Sequence, residues 1–441
     1  MNPRASQPDC VPAAPSPRAA LARAKQPARP GPRDRRGSAY VLVLAAVGAV
    51  TAIVLLGSEQ AQLQRRTTQT ASNAQAARAL ALSALEIGAQ RIAAGTAWRS
   101  ALPSDGQWLT DRRLGNGLVS LQATDPVDND LTKGNEDSVT LKASATIGSA
   151  YQAFSARFNP VLAPLPALSN AITVGGTVNV SGGSITSSVP LTSNASVTSK
   201  SATVALPVEA VGSITGTTYT STTITPVAAR TMPVAADIIA AYTPLATTIA
   251  FSSFNGTLER CLLSPASNPF GAVNPKGIYL INCAGQKITV QNLRVVGTLI
   301  LVNPRSDSQI AGSVCFEQGP DALPVLIVDG SCTFAATAVD LSEQSLGVNL
   351  NPASTPFATL SNTTQLDAYP SELRGLVYVS GNITLQGELT VRGSLIVGGT
   401  LATSGTVAIT PDTTLTQSPP LGFRTVSSMA IVPGTIARVA R

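Results

Sequence analysis

Twenty consecutive residues, Ser38 to Gly57, carry no charge, and no proline occurs between Pro32 and Pro103. These two facts constrain the chain more than any others. An apolar run of this length crosses a hydrocarbon core about 30 Å thick as a helix. The proline-free sequence behind it lets the same helix continue to about Gly95. A helix over residues 37–95 would reach on the order of 90 Å, with its last two thirds clear of a membrane. Within the run, Ala45, Gly48, Ala49 and Ala52 recur at three- and four-residue spacings and so share one face. A small-residue face lets a second membrane helix approach closely. A lone signal anchor whose alanines have no role fits the same pattern. Further on, Leu63, Leu80, Leu82, Leu85, Ile87 and Ile92 continue an apolar stripe that must pack on something.

Charge fixes the expected orientation. The net charge is +6. Residues 1–36 hold Arg4, Arg18, Arg23, Lys25, Arg29, Arg33, Arg35 and Arg36 against Asp9 and Asp34, and the rest of the chain is neutral. The basic excess is therefore a flank to the apolar run and gives no reason to expect nucleic acid. By the positive-inside rule it places the N-terminus in the cytoplasm and the C-terminal part beyond the inner membrane. The proline-rich composition of residues 1–36 suits a disordered cytoplasmic leader.

Arg35-Arg36-Gly37 followed by a twenty-residue apolar helix resembles the class III signal of type IV pilins and type II secretion pseudopilins. The stretch AQAARALALSALEIGAQRI is similar to the corresponding helix of PilX-type minor pilins. The resemblance covers about residues 35–160. It implies cleavage by a prepilin peptidase after Gly37, a methylated Ser38 as the new N-terminus, and other pilin or pseudopilin subunits as partners. Two features depart from the family. The leader would be 37 residues, which is long. The fifth mature position is Leu42, where the family usually has Glu to neutralise a neighbour's terminal amine. An unpaired carboxylate in hydrocarbon costs about 2.5–3.5 kcal/mol on insertion scales, so Leu42 suits a subunit with no neighbour above it, at a tip. It suits an uncleaved anchor equally.

Residues 96–160 alternate apolar and polar side chains in NGLVSLQATD, DSVTLKASATI and SAYQAFSARFNP. That is the strand period, and it predicts a small antiparallel β unit packed on the helix stripe, with Trp98 and Trp108 at the junction. The acidic turn Asp125–Asp130 lacks the spacing of a calcium loop, so no metal site is expected there. Three prolines in residues 160–168 read as a stiff linker.

From residue 169 the pattern changes. Gly375, Gly381, Gly387, Gly393, Gly399 and Gly405 recur every six residues, each followed by an aliphatic and, two residues on, usually by a second. The aliphatics face one side of a short strand. Strands of three or four residues make poor hairpins, whereas a coiled β-solenoid satisfies both pattern and backbone pairing. The expected fold is thus α+β and mainly β: a long N-terminal transmembrane helix, a small antiparallel unit, and a C-terminal β-solenoid over 169–430. Inserts are expected at 232–243, as a short helix, and at 340–374, as a long loop.

Histidine is absent, which removes Ser–His–Asp and Cys–His nucleophile systems. The candidate acids Asp329, Asp340, Glu343, Asp367 and Glu372 are scattered, and aromatic residues make up only 4% of the chain, too few for a sugar-stacking groove. No enzyme and no cofactor is expected. Cys261, Cys283, Cys315 and Cys332 are disulfide candidates on the exported side, as Cys261–Cys283 and Cys315–Cys332 if sequence neighbours pair. Buried free thiols are the alternative. The expected role is a minor pilin-like or pseudopilin-like structural subunit displaying a solenoid. The alternatives are a stand-alone anchored adhesin or envelope protein and, less favoured, a polysaccharide-active β-helix enzyme.

Overall fold

The computed structural model describes residues 36–94, 98, 99, 101–103, 105–132, 134, 136–216 and 218–440. The leader expected over residues 1–36 lies outside them except for Arg36, and so does Cys10. The chain divides into two compact units, residues 1–73 and 74–441. Helix α1 (Arg36–Ala93) contributes to both and is unbroken over 58 residues. In the first unit every side chain from Tyr40 to Ser72 is exposed.

In the second unit the helix stripe is used. Ala81, Ala84, Leu85 and Ile92 pack with Val119, Leu121, Leu141, Ala143 and Phe154 in one buried cluster. These partners come from an antiparallel sheet of β1 (Gln107–Leu114), β2 (Gly117–Thr124), β3 (Val139–Ile147) and β4 (Ala150–Pro164) in that order. Alternate residues of β2 and β3 are buried, as one covered face requires. Trp98 and Trp108 meet edge to face at 5.7 Å beside the helix end. Strand β1 carries Asp111, Arg112 and Arg113 instead of an apolar alternation. It is an edge strand with two register shifts, and charge and bulges of this kind deter further pairing.

The stiff linker expected over 160–168 is instead partly strand. β4 continues through Pro164, and Arg424–Ile431 pairs antiparallel with its outer part. β3 stops opposite Phe158, so Pro160 and Pro164 have a strand on one side only, where a missing N–H is tolerated. The same pairing removes Arg424–Ile431 from the solenoid, whose expected end was residue 430. The solenoid is therefore an insertion between two neighbouring strands of the helix-packed sheet.

The solenoid is a parallel coil with three faces. In the hexad region Leu373 pairs with Val391 and Val391 with Ile409, so three hexads make one turn and each supplies one strand. Inward Val, Leu and Ile side chains from all three faces fill a single core. The hexad glycines stand at the corners. A Cβ on Gly405 would collide with the Gly387 carbonyl of the coil beside it, so only glycine lets successive corners stack.

The order of coils differs from chain order. The coil at 395–410 pairs with 172–174, 178–180 and 184–186, so the last coil in sequence stacks on the first. The chain enters mid-solenoid, winds to one end at Thr223–Ile224, and returns to start the other end at Thr247–Thr248. Helix α2 (Ala235–Tyr242) lies in this return, where a helix was expected. Its Ile238 and Tyr242 pack on Ile278, Leu280, Ile300, Leu376 and Ile396, the outward residues of one solenoid face.

A second face is covered by residues 340–371. This segment, expected as a loop, is an ordered lid: Leu341–Ser342 pairs with Ala368–Tyr369 around a short helix, Glu343–Leu346. Its clamp is Arg294, 1% exposed. The guanidinium donates to the carbonyls of Leu350 (2.6 Å), Thr355 (3.1 Å) and Pro356 (2.9 Å), and pairs with Glu317 at 2.6 Å. Phe357 and Tyr369 lie over it. The sequence offers the 340–374 insert as a cover for a solenoid face, but Arg294, between Leu293 and Val295, gives no local sign that it is the residue that holds the cover. The third face, built from 332–336, 383–385, 401–403, 178–180, 197–199 and 214–215 among others, carries no covering segment among the described residues.

Candidate anchoring and assembly site

The first part of α1 is apolar around its whole circumference. Tyr40, Val43, Leu44, Val47, Val50, Ile53 and Leu56 point in all directions and are each at least 60% exposed. Its polar side chains are spent on its own backbone. Thr51 Oγ1 donates to the Val47 carbonyl at 2.7 Å, and Ser58 Oγ to Leu55 at 2.8 Å. This is how a helix satisfies hydroxyls where no water is at hand. A single long apolar helix of this kind fits a single-pass membrane anchor.

Ala45, Gly48, Ala49 and Ala52 share one face of this part, exposed and uncovered. A Cβ added at Gly48 would meet nothing within 4 Å, so the face is open to a second helix. Leu42, in the position where the resembling family has Glu, is 69% exposed. Gly37 and Ser38 lie in the first turn of α1.

The four cysteines do not pair. Cys261, Cys283, Cys315 and Cys332 are free and buried, which corrects the neighbour pairing. Cys332 faces the solenoid core while Cys315 faces outward beneath the lid, so the coil wall separates them. The Cys261 carbonyl accepts from the Arg294 amide on the lidded face, whereas the Cys283 amide donates to the Val302 carbonyl at the end of the helix-covered one, both thiols facing the core. Burial pushes the thiols of Cys261, Cys315 and Cys332 up to about 12 and that of Cys283 to about 11.

The five candidate acids do not converge in one groove. Glu343 and Asp367 come together, but inside the lid. Glu343 accepts from the Leu350 amide (2.6 Å) and the Tyr369 hydroxyl (2.6 Å), and Asp367 from Asn351 and Asn362. Glu372 sits between Arg374 and Arg392, bonded to both. Asp329 accepts from Ser380 at 3.1 Å, and Asp340 is exposed. Arg374 and Arg392 line, with Glu317 and Asp412, a shallow groove of ≈ 540 Å³. Its arginines are neutralised by carboxylates in the same wall. In the acidic turn, Asp125 is buried 3.7 Å from Arg99. Among the described residues no group of three or more Cys, Asp or Glu could hold a metal ion.

No family model matches the sequence, and no curated protein matches it. Among solved structures, the competence-associated pilin ComZ from Thermus thermophilus is similar at a TM-score of 0.26 and 12% identity, over 83% of this chain and 97% of that one. A likeness that slight carries no argument about fold or role.

Proposed function

We propose that this chain is a membrane-anchored, pilin-like or pseudopilin-like structural subunit that displays a β-solenoid outside the inner membrane. The observation that carries the reading is the change of environment along one helix. The part of α1 up to Ser72 buries nothing, while the part from Ala77 holds a sheet. That sheet in turn holds the chain where it enters and leaves the solenoid, at adjacent coils, through β4 and Arg424–Ile431. The first part supplies the lipid-embedded segment and, through Ala45, Gly48, Ala49 and Ala52, a contact face for neighbouring pilin helices. The basic leader keeps the N-terminus cytoplasmic. Prepilin peptidase cuts after Gly37 and leaves Ser38 as the mature N-terminus. Leu42 leaves no carboxylate to meet a subunit above, which suits a tip position. The role is assembly and display, not catalysis: of the five candidate acids, Asp329, Glu343, Asp367 and Glu372 are bonded within the lid and the coil wall, and Asp340 is exposed.

The same Leu42 also fits a stand-alone adhesin or envelope protein with an uncleaved anchor. The two readings part in a processing assay. Incubated in membranes with prepilin peptidase, the full chain is expected to shorten by its leader, and the Gly37→Leu variant is expected to stay intact. A wild-type chain that also stays intact favours the uncleaved anchor.

A further inference from the structure

The uncovered solenoid face is more regular than its sequence suggests. Six successive coils each present two outward residues, separated by one inward core residue. The first rank is Ser331, Asn382, Thr400, Thr177, Ser196 and Ser213. The second is Thr333, Thr384, Ala402, Asn179, Thr198 and Thr215. The second rank is read directly from the strand register. The first is tied together by hydrogen bonds. The Asn382 amide donates to Ser331 Oγ (2.9 Å), Thr400 Oγ1 to Asn382 Oδ1 (3.0 Å), and Ser213 Oγ to Ser196 Oγ (3.3 Å). In the second rank Thr198 and Thr215 hydroxyls lie 3.1 Å apart. All twelve residues are exposed or half-exposed.

Backbone geometry sets the spacing. Neighbouring coils are about 4.8 Å apart, and residues two apart along a strand are about 6.6 Å apart. The face is therefore a rigid grid of short hydroxyl and amide groups. It has no Lys, Arg, Asp or Glu in either rank, whereas the lidded face beside it carries Arg294, Glu317, Glu372, Arg374 and Arg392. Beyond Ser331 the register carries the first rank on to Asp307, paired with Arg305, and then to Lys287, and Lys200 stands at a corner, so the uncharged grid is these six coils. A grid without charge has nothing to offer a polyanion or a polycation. A grid whose one apolar side chain is Ala402 has little to bury against a second copy of itself. Its complement is an uncharged surface whose hydrogen-bonding groups also repeat.

We infer that this face docks a neutral, repeating polyhydroxyl polymer, a neutral polysaccharide presented as an extended chain or sheet. The face lacks the aromatic platforms of a sugar-stacking site, so single contacts exchange protein–water for protein–hydroxyl hydrogen bonds with small net gain. Binding comes from simultaneous contacts along six coils. It is accordingly weak on short oligosaccharides and strong on an insoluble polymer, and insensitive to salt. The inference rests on the solenoid alone and stands or falls independently of the pilin reading.

The test is co-sedimentation of the full chain in detergent with microcrystalline cellulose, at low and high salt. A charged polymer, carboxymethyl cellulose coupled to beads, serves as comparison. Three variants accompany the wild type: Thr333→Val/Thr384→Val/Thr198→Val, which removes hydroxyls at constant shape; Thr384→Lys/Thr198→Lys, which adds charge; and Thr410→Val, on the lidded face. Circular dichroism and thermal unfolding confirm that each is folded. The expected result is wild-type retention on cellulose unchanged by salt, at least tenfold loss in the first two variants, and no loss with Thr410→Val. Failure of the wild type to sediment, equal retention of the triple-valine variant, or retention only on the charged polymer would each overturn the inference. So would adsorption to ice crystals without retention on cellulose, which would assign the grid to frozen water instead.

Discussion

The two parts of α1 are built from similar residues and meet opposite fates. From Tyr40 to Leu56 the apolar side chains cover every direction and touch nothing. From Ala77 to Ile92 they form one stripe in which Ala77, Ala81, Ala84, Leu85 and Ile92 are 0–5% exposed, flanked by half-buried Leu80, Leu82, Ile87 and Ala89. A stripe tells a helix to pack on one partner, while apolarity all round needs an apolar environment on all sides. The difference fits a single unbroken helix that serves two environments, with composition around the helix, more than hydrophobicity along it, deciding which.

The largest expected effect is in the second part. Leu85→Ala, at the helix–sheet contact, is expected to cost about 2–5 kcal/mol in thermal or denaturant unfolding of the second unit, while membrane retention is unchanged. If retention fell with stability, the two parts would not be independent. Next is Val50→Arg in the first part. An arginine at the centre of a spanning helix costs about 2.5–3.5 kcal/mol on insertion scales, so the ratio of carbonate-resistant to extracted chain should drop about a hundredfold, with the unfolding midpoint of the second unit unmoved.

These expectations draw on what the sequence discloses and what it withholds. The extent of α1 is legible from the missing prolines, and the coil from six evenly spaced glycines. The coil order is not legible: every junction uses the same aliphatic–x–aliphatic strand, so nothing local tells 395–410 that its neighbour is 172–186. The strand character of 160–164 is masked by prolines that only a one-sided neighbour permits. The lid depends on Arg294, whose burial is decided by carbonyls 56 to 62 residues away. The candidate assembly face at Ala45, Gly48, Ala49 and Ala52 was readable from spacing. The hydroxyl grid was not, because its S-x-T, N-x-T, T-x-A and T-x-N units are scattered between 177 and 402 and meet only through the coil.

A smaller effect separates insertion from assembly within the first part. Gly48→Leu leaves the helix as apolar as before but fills its small-residue face. Insertion is expected to be unchanged, and cross-linking to neighbouring pilin helices is expected to fall by about tenfold, given contact energies of about 1–2 kcal/mol. The smallest expected effect is none at all. Native protein treated with iodoacetamide at pH 8 should leave Cys261, Cys283, Cys315 and Cys332 unmodified, since burial holds these thiols far above that pH. All four should label after denaturation without reductant. Resistance to labelling after denaturation would mean that disulfides form.

The most direct test of the central claim is the mass and N-terminal sequence of the chain recovered from the envelope of its native host. An anchored pilin-like subunit is expected to begin at a methylated Ser38 and to remain with the membrane or with assembled fibres. A soluble chain, or one still carrying residues 1–37, would contradict the pilin-like account.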